Sequence, residues 1–381
     1  MSLSWKLSIH KRWDEVDAPS FTEQWLKLME NPSQAHVFFH PALLSAWAGT
    51  CRSSRQIEPV YCIAEAEGVT FFLPLVLWNR NWKNAFVRML VPAGYPDFDY
   101  HDPVVGGEAS KEMVDSFWEL IRVEVLENPE IRFDKALLCG MHYYAEKQGW
   151  RAEGEVCPYV DLTRHADFPA FFGSLRKSFR KDIERQQKRL SEAGLLRFRV
   201  FEPHESIKAL AALPAFLDAH KRKWPNAFKP EGFHERIVLE ALPEGILHFS
   251  EMQLDSKPIS WHLGFSYNQR FYYYMPAFLE EYGVYSPGKI HLSFLLEDAY
   301  RKGIGIFDFL RGDEEYKKEW ANGESPLYSY AVQTDRLAGR MRLSAVNVLM
   351  EVKKRFGMVF LPYVSDAWSE LLLSITTLLW V

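Results

Sequence analysis

The stretch that most restricts the fold is Leu247–Phe278, where three apolar runs follow one another almost without interruption. Leu247–Leu254 and Pro258–Tyr267 are joined by Asp255-Ser256-Lys257, a hairpin turn, and Arg270–Phe278 (RFYYYMPAF) makes a third strand. Alternation in the middle strand puts Ser260, His262 and Gly264 on one face and Trp261, Leu263 and Phe265 on the other. An antiparallel meander therefore anchors the second half of the chain. It passes through a Gly/Pro loop into helix Lys289–Lys302, then strand Ile304–Leu310, helix Glu314–Trp320 and a last strand, Leu327–Gln333.

Upstream, this half opens near Tyr159–Thr163 with a long helix, Phe168–Ala193. Strand Leu196–Phe201, helix Ser206–Arg222 and a helix near Gly232–Leu242 follow. The first half shows a similar mixture. Phe21–Met29, Pro41–Trp47 and Lys111–Glu127 read as helices. Val60–Ala66 and Thr70–Trp78 form an antiparallel pair turning at Glu67-Gly68, with short strands at Arg88–Pro92 and Lys135–Cys139. Between these strands lies the loop Ala93–Pro103, AGYPDFDYHDP. The expected class is α/β (α+β), divided as 1–158, 159–338 and a helical C-terminal part, 339–381.

Composition narrows the function classes. A net charge of −5 and a pI of about 6.2 argue against a bulk electrostatic grip on nucleic acid, so no such partner is expected. Cys51, Cys62, Cys139 and Cys157 are scattered, without a C-x-x-C pair, which argues against a zinc ribbon and fits a reducing cytoplasm. The N-terminus, MSLSWKLSIHKRWDE, is too charged for a secretory signal. No run reaches the roughly 18 apolar residues of a spanning helix. The expected location is cytoplasmic, with contact to the inner membrane surface as a further option.

Several residue groups are able to carry chemistry. EYGVYSPGKIHL (Glu281–Leu292) puts Gly288 and Lys289 at a helix start, where free N–H groups and the helix dipole favour a phosphate. The plainer reading is a turn with an N-terminal proline. Asp308 lies inside a strand between Phe307 and Phe309, and needs a partner from Arg311, Lys317 or His262. Asp313 is placed to cap the helix that carries Tyr316, Lys317 and Trp320. His262 is either a structural histidine or a general base. The helix Ser174–Leu190 is strongly basic, either as a solvated face or toward an anionic partner. Gly339–Phe356 reads as a basic amphipathic helix, and Leu371–Val381 (LLLSITTLLWV) carries no charged side chain. Both suit packing on the core or another subunit, or docking at a membrane interface.

Taken in order, LRKSFRKDIERQQKRL, RFYYYMPAFLEEYGVYSPGKI and FDFLRGDEEYKKEW resemble the CelD-like acetyltransferase domain of the GNAT superfamily, related to Fem-type transferases. The resemblance covers about Phe168–Gln333, and PAGYPDFDYHDPVV is similar to the first half of such proteins. It implies tandem GNAT-like domains, each a mixed, mostly antiparallel sheet flanked by helices. It implies an acyl-CoA donor, an amine acceptor and no metal. Tyr274, Met275, Ser286, Gly288, Lys289 and Ile290 fall where the donor is held, although the Q/R-x-x-G-x-G/A spelling is absent. His262 takes the place of a base, Asp308 of the group that orients it or binds the amine, and Tyr316 of an acid. Arg311, Asp313 and Lys317 are placed to bind the acceptor. High aromatic content, 15%, and the amphipathic C-terminus point to an amino lipid as acceptor, with membrane contact through 174–190 and 339–381. The alternatives are an amino-sugar acetyltransferase of exopolysaccharide synthesis, a Fem-type aminoacyl-tRNA-dependent ligase, and a non-catalytic binding module.

Overall fold

A computed structural model describes residues 3–30, 32–79, 87–143, 151–225, 229–333 and 336–360. It divides into two compact units, Met1–Glu153 with Tyr328–Val381, and Gly154–Leu327. In the first unit β1 (Lys6–His10), β2 (Ile57–Ala66), β3 (Val69–Asn79), β4 (Arg88–Pro92) and β5 (Lys135–Met141) lie side by side in that order. Only β4 and β5 run parallel, with Met89 opposite Lys135. Helices α1 (Pro19–Glu30), α2 (Pro41–Ser54) and α3 (Lys111–Ile121) complete the unit. Ser110 caps α3 by accepting the Met113 N–H, and the helix lays Phe117 flat on Phe71 at 4.5 Å. The Ala93–Pro103 loop is folded inward. Asp97 accepts from Trp47 Nε1 (2.8 Å) and Arg55 (2.6 Å), and Asp102 lies 2.6 Å from His142 Nδ1.

The second unit contains β6 (Arg151–Asp161), β7 (Leu196–Val200), β8 (Leu247–Leu254), β9 (Lys257–Tyr267), β10 (Arg270–Phe278) and β11 (Ile306–Asp308). Their order across the sheet is β6-β11-β10-β9-β8-β7. The meander expected from sequence is β8-β9-β10, with Phe249 opposite Leu263 and Leu263 opposite Met275. Its helices are α4 (Phe168–Ser174), α5 (Lys177–Ala193), α6 (Ser206–Lys223), α7 (Phe233–Ala241), α8 (Pro287–Arg301) and α9 (Glu315–Trp320). The single helix expected over Phe168–Ala193 is two, because Leu175 and Arg176 are extended. That break lets Phe171 and Phe179 enter one core with Leu295, Phe307 and Trp320. Phe179 meets Trp320 edge-on at 5.0 Å. Burial of each such side chain contributes on the order of 2–3 kcal/mol. On the opposite face Phe216 of α6 packs on Phe249 at 5.5 Å.

The chain then returns to the first unit. In β12 (Gly323–Gln333), Tyr328–Gln333 pair antiparallel with β5. Helix α10 (Leu337–Phe360) follows, and Arg342 Nε donates to Asp134 at 2.9 Å. The observed division therefore differs from 1–158, 159–338 and 339–381: backbone pairing with β5 draws Tyr328 onward into the first unit. The apolar segment Leu371–Val381 lies outside the described residues.

Candidate functional site

β10 and β11 part. They run parallel and in register for only three pairs, Arg270–Ile306, Phe271–Phe307 and Tyr272–Asp308. Beyond Asp308 the backbone turns aside: Leu310 has a φ of 61°, and Asp308 Oδ1 accepts its N–H at 2.8 Å. The chain then follows β6, with Phe309 N–H on the Pro158 carbonyl (3.0 Å) and Gly312 N–H on that of Val156 (3.2 Å). The expected strand Ile304–Leu310 is thus only Ile306–Asp308. β10 keeps its partner β9 as far as Phe278 but loses β11 after Tyr272.

A bulge marks the same place. Tyr273 and Tyr274 stand opposite the single residue Gly264. A Cβ at Gly264 would collide with the His262 ring and the Tyr272 carbonyl, so no other residue fits. The bulge turns Tyr274 and Met275 to one face together, the former 5.2 Å from Phe265 and the latter opposite Leu263. β10 beyond Tyr272 is thus bordered by a bulge and has no strand pairing with β11.

The start of α8 lies at the end of this arrangement. Ser286 is left-handed (φ 52°), and its carbonyl takes the N–H groups of Lys289 (3.0 Å) and Ile290 (3.3 Å). Pro287 has no N–H, and that of Gly288 has no acceptor among the described residues. A Cβ on Gly288 would meet only the Phe278 ring, at 3.4 Å. One open amide at the positive end of a 15-residue helix suits a phosphate oxygen. Lys289 does not supply the expected second charge. Its Nζ donates to Asp182 at 2.8 Å and lies 5.0 Å over the Phe179 ring. That hydrogen bond holds the Asp182 carboxyl below its ordinary pKa. Ile290 is fully buried and serves the core.

His262, Asp308 and Tyr316 are not one constellation. His262 faces α8, stacked on Tyr273 at 4.5 Å, and neither ring nitrogen has a hydrogen-bond partner among the described residues. Burial, then the nearby His248 and His291, push its pKa well below the ordinary value. Asp308 lies across from Tyr272, on the other face from Phe307, which stacks on Phe271. Its Oδ2 accepts from Arg270 at 2.7 Å. So its partner is Arg270, not His262, Arg311 or Lys317, because strand alternation turns it away from His262. Tyr316 is 40% exposed on α9, and its hydroxyl is held protonated by burial and by Glu314.

The charged hinge FLRGDEEYKKEW is a clasp. Lys317, 4% exposed, donates to the Arg311 carbonyl (2.6 Å) and pairs with Glu314 (2.8 Å). It is not open to an acceptor. Gly312 (φ 115°) brings this loop so close that a Cβ would lie 3.1 Å from Lys317 Nζ. Arg311 binds Glu155 at 2.6 Å. Asp313 does not cap α9: Glu314 holds the N-cap place, and Asp313 lies 3.6 Å from Lys318.

One polar layer was missed by sequence reasoning. Beneath α8, His291 bonds Ser250 Oγ through Nε2 (3.0 Å) and Ser260 Oγ through Nδ1 (2.9 Å). His248 Nε2 lies 3.3 Å from Asp298. Its signal was present, since His248 and Ser250, and Ser260 and His262, are two apart on adjacent strands. Among the described residues no cluster of His, Cys, Asp and Glu is arranged to hold a metal ion.

No curated protein matches the sequence. The fold is similar to that of FemX (9% identity, 81% of this chain and 95% of that one, TM-score 0.54). It is also similar to the C-terminal domain of a putative lysylphosphatidylglycerol synthetase from Agrobacterium fabrum (12% identity, 85% and 95%, TM-score 0.51). Residues 177–318 match the family described as Acetyltransferase (GNAT) domain, which spans the meander, the parted strands and the start of α8. Residues 177–318 thus carry a GNAT acetyltransferase domain, which supports an acyltransferase activity for the second unit.

Proposed function

We propose that the second unit transfers the acyl group of an acyl-CoA to an amine, with an amino lipid of the sphingoid-base kind as lead acceptor and a ceramide-type amide as product. The observation that carries this reading is the parting of β10 from β11 at Tyr272 and Asp308, beside the start of α8. A pantetheine arm has amides able to pair with the uncovered edge of β10, and its diphosphate fits the Gly288 amide.

The ammonium acceptor gives its proton to solvent, and the free amine attacks the thioester carbonyl. The carbon–sulfur bond breaks, and the thiolate takes a proton to leave as CoA. An amide of the Tyr273–Tyr274 bulge is the donor for the developing oxyanion. Tyr316, held protonated, hydrogen-bonds the departing sulfur. Burial makes the imidazolium of His262 costly, so we assign that residue to the support of Tyr273 rather than to proton abstraction.

The lipid acceptor is supported by α10, where Leu337 (72% exposed), Met341 (64%) and Val348 (59%) leave an apolar stripe in solvent. No described helix is long and apolar enough to cross a membrane. The first test is calorimetry with CoA, followed by thiol release from acyl-CoA with a panel of sphingoid bases, amino sugars and amino acids. Binding of CoA and turnover with the lipid amines alone are expected. Absence of CoA binding removes the transferase mechanism, and turnover with amino sugars alone replaces the acceptor. Flotation of the protein with anionic vesicles is expected, and its loss in a Leu337→Glu, Met341→Glu variant would locate the contact.

A further inference from the structure

We infer that His220 and Lys223, at the C-terminal end of α6, form with Trp224 and Phe278 a binding site for a phosphate group. Lys223 is exposed as a whole, yet its Nζ lies 4.4 Å from the centre of the Trp224 ring and 4.9 Å from that of Phe278. No carboxylate pairs with it among the described residues. The nearby acid on the same helix, Asp218, is taken by Arg222 at 2.7 Å. His220 is 9% exposed, lies 4.8 Å from Trp224, and has no hydrogen-bond partner among the described residues.

The simpler explanation is that basic residues in a last helical turn offset the helix dipole. The geometry goes against it: the Lys223 ammonium lies over aromatic rings, and the Trp224 N–H already bonds the His220 carbonyl at 2.9 Å. The local electrostatics favour an anion. Burial, then Lys229 and Lys223, lower the pKa of His220 to about 4, and burial also lowers that of Lys223. Lys229 lies over Tyr274 at 5.2 Å. A phosphate would pair with Lys223, raise the basicity of His220 and accept its N–H. Two sources share this chemistry, the donor's phosphates and a phosphorylated acceptor. Phe278 also borders Gly288, which favours the donor. That choice of source rests on the acyl-CoA reading, whereas the anion site does not.

The test uses the full chain with 13C-labelled histidine, titrated with inorganic phosphate, pyrophosphate, CoA and pantetheine. Phosphate is expected to move the His220 resonance and raise its pKa. Lys223→Met should weaken phosphate and CoA about tenfold while leaving pantetheine unchanged, and Lys223→Arg should restore most of the loss. If Lys223→Met weakens phosphate but not CoA, the site stands and its ligand is a phosphorylated acceptor. If the wild type binds phosphate at His220 but no CoA, the site stands and the acyl-CoA reading fails. If phosphate leaves His220 unmoved and Lys223→Met leaves the affinity for CoA unchanged, the inference is wrong.

Discussion

Lowering the pH should unlock the layer beneath α8, and His291 allows the effect to be sized. Its ring is 2% exposed, both nitrogens bond serine hydroxyls, and burial pushes its pKa down to about 3. In the unfolded chain the same ring titrates near 6.5. The unfolded state therefore binds more protons between these values, so stability is complete above the unfolded value and falls as pH drops toward 3. At pH 5 the unfolded ring is favoured by about 1.5 pK units, or about 2 kcal/mol. Most carboxylates stay ionised at that pH, which keeps this window clean. Urea denaturation at pH 7, 6 and 5 should show the wild type losing about 2 kcal/mol more than His291→Gln, which keeps polar atoms for both serines but does not titrate. His220 and His248, also depressed by burial, add the same amount to both proteins and cancel. Equal losses in the two proteins would show that His291 is not held neutral by its surroundings.

Three further outcomes follow from the geometry. Gly264→Ala should cost about 2 kcal/mol or more, read by thermal unfolding, because the new methyl meets the His262 ring and the Tyr272 carbonyl. Arg270→Met removes the 2.7 Å partner of the buried Asp308 carboxylate, which keeps the Leu310 N–H, and should lower stability by about 2 kcal/mol, whereas the double variant with Asp308→Asn should recover part of it. Tyr316→Phe should lower kcat about a hundredfold and leave CoA affinity unchanged in calorimetry, while His262→Phe keeps most of the activity; the reverse pattern would restore His262 as the base.

The meander was legible because its signals are local: two tight turns and a period of two place Ser260 and His262 opposite Trp261 and Leu263. So was the helix start at Pro287-Gly288, which needs only a proline and a left-handed residue before it. What sequence spacing does not fix is which charge finds which partner. Lys289 went to Asp182, more than a hundred residues upstream, and Asp308 to Arg270 on the next strand. Lys317 turned inward because Gly312 lets the loop close over it. Strand β6 was missed for a related reason: its place is set by β11 and by the loop after it, not by any pattern within Arg151–Asp161.

The halfway loss of its neighbour leaves β10 with main-chain groups from Tyr273 to Phe278 that no strand of its own sheet covers on that side. Such an open margin invites pairing with other extended chains, so the empty enzyme should be the form most prone to self-association. A ligand lying there acts as a temporary strand. At a hundredfold excess over its Kd it would stabilise the protein by about 2.7 kcal/mol, making substrate supply a guard against aggregation as well as a source of turnover.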